Sequence, residues 1–332
     1  MYGLDVLFQK VLLICTMVLI GAILRKANKA DGYTAKSCSN LVVYIAQPAM
    51  IIYGFLDTDF NAKILLTSLI VLIFSIAFHF MFYGVSLRLY KNSPERRRTV
   101  LRFATVFTNA GFMGIPLISE LISPEAAIYA TFYVISFNIF NWTLGCYLYT
   151  GNKAYIKPKK MFINPATIPT YIGLSIFILS GVVTIPDVLL PAWDGYIVPV
   201  IKDNVLFALK STVIPLSMFI IGIRLAESDI KLLFKDRYLP LYLGVRLIIL
   251  PIVCMAIMKA VALTGLISYP ILQPAAIVLT ISASTPAAAM AGILAEQFDG
   301  DTQYAGQIVS ASTLVSLITM PIIAALLLRV FP

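Results

Sequence analysis

The segment Phe107–Ile118 reads FTNAGFMGIPLI and lies inside a long apolar run. Asn109, Gly111, Gly114 and Pro116 crowd into its middle. A helix surrounded by lipid normally avoids these residue types at its centre. Proline removes a backbone donor and clashes with the preceding turn, and in hydrocarbon each freed backbone group costs several kcal/mol unless protein or water satisfies it. Such a break is tolerable only where it is buried in protein or faces a polar cavity, so this segment predicts an interrupted helix with a purpose.

The solvent is read from composition. Of 332 residues, 60% are hydrophobic and only 12% charged, and the mean hydropathy is +0.90. A soluble domain of this length carries roughly 45–50% apolar and about 25% charged residues, so the excess apolar surface is matched to lipid. A span needs about 20 mostly apolar residues. Ten segments qualify: 6–24, 38–56, 64–86, 99–122, 126–149, 166–185, 197–223, 239–263, 270–296 and 305–330. The first lacks a basic leader and a small-residue cleavage site, and reads as a retained span. Cys15, Cys38, Cys146 and Cys254 fall in or beside apolar runs without metal-type spacing, which makes them small hydrophobes. No motif points to a cofactor or a metal.

Lysine and arginine set direction. The loops after odd-numbered spans, with the adjoining span ends, hold 18 of the 25 basic residues, among them Arg25, Lys26, Arg96, Arg97, Arg98, Lys157, Lys160, Arg224, Lys231 and Lys235. Both termini are therefore expected outside a cell membrane. The net charge of +9 follows from these loops; no folded basic face exists outside the membrane for a nucleic-acid partner.

Prolines suggest an internal repeat. Pro48 in the second span and Pro215 in the seventh are 167 positions apart; Pro116 in the fourth and Pro286 in the ninth are 170 apart. The chain then divides into residues 1–160 and 161–332, each with five spans. An odd number of spans per half inverts the second half. Paired Gly/Pro-interrupted segments in corresponding positions of two halves point to a transporter binding site. The fold expected is all-α and polytopic, with ten transmembrane helices in two inverted five-helix repeats and with helices 4 and 9 broken, at Pro116 and Pro286, and crossing. Each break places a helix N-terminus, partly positive and rich in free N–H groups, near the bilayer midplane, where two together suit an anion.

The motifs NAGFMGIPL from Asn109, NWTLG from Asn141, STPAAAMAGILAEQF from Ser284 and STLVSLITMP from Ser312 resemble the auxin efflux carrier family, which includes plant auxin transporters and bacterial permeases for dicarboxylates such as malonate or malate. The resemblance covers essentially the whole chain. It implies a fold like that of sodium/bile-acid symporters, a scaffold of spans 1, 2, 6 and 7, a transport unit of spans 3–5 and 8–10, and a homodimer. Carried over by motif, Asn109, Pro116 and Pro286 belong to the substrate site.

Around that core the substrate-binding candidates are Gly111, Gly114, Asn138, Asn141, Ser284 and Thr285, with Gln47, Lys210, Arg246 and Ser312 as secondary candidates. Asn138 and Asn141 share a helix face and either line the site or bond between helices. Lys210 and Arg246 are the formal charges deepest in spans, and either turn inward, pair, or snorkel to an interface. His79 reads as structural, and Ser310, Thr313 and Ser316 are weaker candidates because hydroxyls bond their own helix carbonyls. Glu120 and Asp203 belong to outer span ends, so no carboxylate occupies a span centre.

The function expected is a secondary active or facilitative transporter of small organic anions, carboxylates such as malonate, malate or auxin-like acids, working by alternating access. The alternative is a cation-coupled symporter using sodium or protons. An intramembrane enzyme is disfavoured by the lack of an Asp pair, an HExxH motif or a Cys–His dyad. No stretch reads as the signalling domain a receptor would carry.

Overall fold

The computed structural model describes residues 4–121, 126–156, 159, 162–163, 165, 167–182, 199–227 and 236–332. The described residues form helices with almost no extended backbone. Those helices are α1 (Leu4–Lys26), α2 (Gly32–Leu56), α3 (Ala62–Leu89), α4 (Glu95–Val106), α5 (110–121), α6 (126–150), α7 (Thr167–Val182), α8 (Val200–Glu227), α9 (Tyr238–Thr264), α10 (Tyr269–Ser284), α11 (Met290–Gln297) and α12 (Thr302–Val330). Among them α2, α3, α8, α9 and α12 are each long and apolar enough to cross a membrane. The proposed boundary at residue 160, and the basic residues Lys157, Lys160, Lys231 and Lys235, lie outside the described residues.

Local chemistry explains the helix ends. Asp31 accepts from the Thr34 amide at 2.8 Å while the Thr34 hydroxyl faces the Asp31 amide, a reciprocal cap that starts α2 earlier than position 38. Asn61 and Asp301 cap α3 and α12 from one side only, each accepting from one backbone amide. Gly265 closes α9 with φ +68°, a conformation that costs glycine least. Prolines inside the long helices do not break them. A π turn at Val42–Ala46 precedes Pro48 and another at Val245–Ile249 precedes Pro251, each absorbing the missing donor.

Large side chains such as Leu19, Ile23, Ile73, Phe80, Ile318 and Ile322 are exposed on the outside of the bundle, whereas Ser68, Ser75, Thr105 and Thr131 are buried and bond carbonyls three or four residues back. A surface this apolar is stable only against lipid.

Two packing clusters stand out. α1 and α8 touch backbone to backbone: a Cβ on Gly222 would overlap the Val18 carbonyl oxygen, and one on Gly21 the Phe219 carbonyl oxygen. α7 lies on α2, where Gly173 meets Phe55 and Phe177 sits 6.0 Å from the Phe55 ring. α3 packs on α6 and α10, and α10 on α9 and α12. Basic residues gather at one end, where Arg25 pairs with Glu227 at 3.1 Å and Arg97 with Asp236 at 3.8 Å. At the opposite ends of α2 and α8, Lys202 pairs with Asp57 at 3.0 Å.

Candidate functional site

Two helical rods are interrupted, α4–α5 at residues 107–109 and α10–α11 at residues 285–289. They meet at their gaps. The Asn109 amide donates to the Pro286 carbonyl at 2.8 Å, and the Ala288 amide donates to the Phe107 carbonyl at 3.0 Å, forming an antiparallel bridge between Thr108 and Ala287. Groups released by one helix are thus satisfied by the other, as a buried crossing requires.

The causes of the two gaps differ. α10 stops because Pro286 pushes the preceding residue out of the helical region; Thr285 has ψ 153°. α4 stops at Val106 with no proline nearby, in the run Thr105-Val106-Phe107-Thr108, whose β-branched and aromatic residues fit extended backbone. Pro116 is not the break point. It is the second residue of the regular α-helical part of α5 (Ile115–Leu121), behind a π turn at Ala110–Gly114. The sequence expectation, which marked this break at Pro116, placed it too late.

Several side chains lock the crossing. The Ser312 hydroxyl accepts from the Ala287 amide at 3.1 Å. Arg246, fully buried, donates through Nη1 to the Ala283 carbonyl and through Nη2 to the Thr285 carbonyl at 3.1 Å. Snorkelling is excluded for this residue: its guanidinium points into the crossing. Gln47 of α2 donates to the Gly111 carbonyl at 3.3 Å. Gly114 lets α5 approach Thr285 and Ser282; a Cβ there would lie 3.5 Å from Thr285 Cγ2. Ser284 and Thr285 turn their hydroxyls back to the Ile281 and Ser282 carbonyls, each at 2.8 Å.

Against this crossing lies a cleft of about 90 Å³. Asn109 and Ala289, the N-cap residues of α5 and α11, both line it. Neither helix carries a side-chain cap bond. The remaining wall comes from Val309, Ser310 and Thr313 of α12, Ser39 of α2, and Ser217, Ile220, Ile221, Arg224 and Leu225 of α8. Ser217 is buried and its hydroxyl oxygen has no partner among the described residues. Toward the basic end, Arg224 donates to the Gly32 carbonyl at 3.3 Å and pairs with Glu227 at 3.4 Å, and Glu227 also holds Arg25. Two guanidinium groups thus meet one carboxylate beside the cleft. Two helix starts without side-chain caps, several hydroxyls and the Arg224 side chain thus share one small cleft with apolar neighbours.

Of the primary and secondary substrate-site candidates expected from sequence, Asn109 alone lines the cleft; the others divide between the crossing behind it and sites elsewhere. Asn109, Gly111, Gly114, Ser284, Thr285, Pro286, Gln47, Arg246 and Ser312 come together at the crossing. Asn138 instead donates to the Val134 carbonyl of its own helix at 2.9 Å, and Asn141 is buried at the start of a π turn; neither lines the cleft. Lys210 places its ammonium 3.3 Å over the Tyr53 ring and 5.0 Å from that of Phe207, away from the cleft. His79 is buried with its ring stacked on Phe140 at 5.0 Å, in keeping with a structural role. Ser39, Ser217, Arg224 and Ala289 were not singled out for the site from sequence. Arg224 had counted only as a loop charge, Ser39 stands at the start of an apolar run beside Asn40, and Ser217 and Ala289 have only apolar residues and proline around them in sequence.

A model of the Mem_trans family, described as membrane transport protein, matches residues 6–167 and 154–324. The chain is also 24% identical over 319 residues to an uncharacterized transporter of Methanothermobacter thermautotrophicus, covering 95% of this chain and 96% of that protein. With two broken helices meeting at a lined cleft, as its motifs foretold, the chain belongs to the membrane transport protein family, the family of the auxin efflux carriers.

Proposed function

We propose that this protein carries small organic anions, carboxylates such as malonate, malate or auxin-like acids, across the cell membrane by alternating access. The single observation that carries the reading is that the N-cap residues of two half-helices, Asn109 and Ala289, face one cleft without side-chain caps. Each helix start is equivalent to roughly half a positive charge, so a carboxylate is attracted there without a buried acidic or basic side chain in the cleft itself.

In this reading the chain has ten spans in two inverted halves. α1, α2, α7 and α8 form a scaffold, and the remaining helices, including the crossing, move against it. The close glycine packing of α1 on α8 and of α7 on α2 supports a rigid scaffold. The cleft runs between α8 and the crossing, so sliding of the two units would close it toward the basic end and open it to the other. Basic residues at one end support an inward assignment of that end, with both termini outside. An uncoupled monoanion moving out of a cell gains about 2.3 kcal/mol per 100 mV of negative-inside potential, about fortyfold in distribution, so export is the direction favoured without a coupling ion.

Uptake of malonate, malate, lactate and indole acetate into proteoliposomes tests the reading, with Asn109→Ala as the paired control. Saturable flux of at least one acid, greatly reduced in the variant, is the outcome expected. Flux of none of the four, or flux indifferent to Asn109, would remove the cleft from the account.

A further inference from the structure

Arg246 presents a feature that anion binding at the cleft does not use. Its guanidinium is fully buried and is absent from the cleft lining. It binds the Ala283 and Thr285 carbonyls, the terminal acceptors of α10 where that helix unwinds. Phe82 lies with its ring centroid 5.8 Å from the guanidinium carbon, and Tyr90, Tyr133, Tyr242 and Cys254 are within its electrostatic reach. Among the described residues no carboxylate forms an ion pair with it, and Nε has no hydrogen-bond partner.

A half-helix C-terminus is the negative end of its dipole. In carriers built on broken helices, unwound carbonyls and half-helix C-termini are the groups that coordinate a driving sodium ion or proton. Two such carbonyls here are already occupied by a side chain whose charge is permanent, since a guanidinium does not deprotonate in a protein. We propose that Arg246 is a tethered replacement for a coupling cation: it supplies in cis the positive charge and the two donors that a bound ion would supply. The proposal rests on the carrier reading above and sharpens it. A tethered charge neither enters nor leaves with substrate, so a sodium gradient has no purchase on the cycle.

The test is made on purified protein without substrate, so that it stands or falls separately from transport. Thermal unfolding is followed in sodium, choline and guanidinium chlorides at equal, low ionic strength. Wild type is expected to unfold at the same temperature in sodium as in choline. Arg246→Ala is expected to unfold at a lower temperature in choline and to be restored selectively by guanidinium, the free form of the missing group. Stabilisation of wild type by sodium over choline would overturn the proposal, as would an Arg246→Ala protein indifferent to guanidinium. Should that variant not fold, the wild-type comparison and Arg246→Lys decide: the lysine keeps the charge, and sodium is expected to leave it unchanged. In proteoliposomes, whichever acid of the panel is carried should move equally fast with sodium or choline outside. A tenfold dependence on sodium, equal to about 1.4 kcal/mol of coupling, would also overturn it.

Discussion

The amide of Asn109 is bonded to the carbonyl of Pro286 at 2.8 Å. One residue thereby does two things: its backbone ties the two broken helices together, and its position caps α5 at the wall of the cleft. The two roles are separable, because a side-chain substitution leaves the amide in place.

Asn109→Ala should therefore fold normally and fail to carry. Loss of one hydrogen bond to a charged ligand costs about 1.5–3 kcal/mol, which predicts a drop of about 10- to 100-fold in apparent affinity with an unchanged thermal unfolding midpoint. Equilibrium binding on detergent-solubilised protein, beside an unfolding scan, separates affinity from stability.

The two prolines of the broken rods should behave differently. Pro286→Ala lifts the restriction on Thr285 that ends α10, so the crossing loses its preset extended backbone and flux should fall. Pro116→Ala only restores a donor inside an already formed helix, and transport should stay close to wild type. Equal losses in the two variants would mean that Pro116, not the 107–109 segment, defines the first break.

Ser312→Ala leaves the Ala287 amide buried without its acceptor. An orphaned buried donor costs about 1–3 kcal/mol, so the unfolding midpoint should fall by several degrees, and Ser312→Thr, which keeps the hydroxyl, should recover part of the loss. Denaturation followed by tryptophan fluorescence measures both.

Gly222→Ala should be poorly tolerated, because its methyl would overlap the Val18 carbonyl and push α1 off α8. Overpacking of this kind costs about 1–3 kcal/mol or more. Gly244→Ala is the matched control, since nothing lies within 4 Å of a Cβ there, and it should be neutral. Yield of monodisperse protein after solubilisation compares the pair.

Much of this molecule is legible in the order of its residues. Lipid as solvent, the positions of the apolar helices and the presence of two interruptions all follow from local quantities: hydropathy, the missing proline donor and the turn-forming residues beside it. Hydropathy works here because a membrane helix must satisfy its backbone within itself, so the signal never depends on a distant partner. Asn109 and Pro286 were visible on the same grounds.

What tertiary structure alone decided is where backbone groups released by one segment find partners in another. The first gap falls at Phe107–Asn109 because that strand-like run has Pro286 and Ala288 to pair with, a reason stored far along the chain. Asn138 looked like a ligand residue but donates to Val134 of its own helix, while Ser217 and Arg224 reach the cleft only because α8 packs beside the crossing, distant from it in sequence. Arg246 is the sharpest case: the sequence left it to turn inward, pair or snorkel, and the carbonyl end of a helix broken by Pro286 draws it inward. Burying a charge is favourable only where complementary dipoles converge, and convergence in space is not written in any single stretch of sequence.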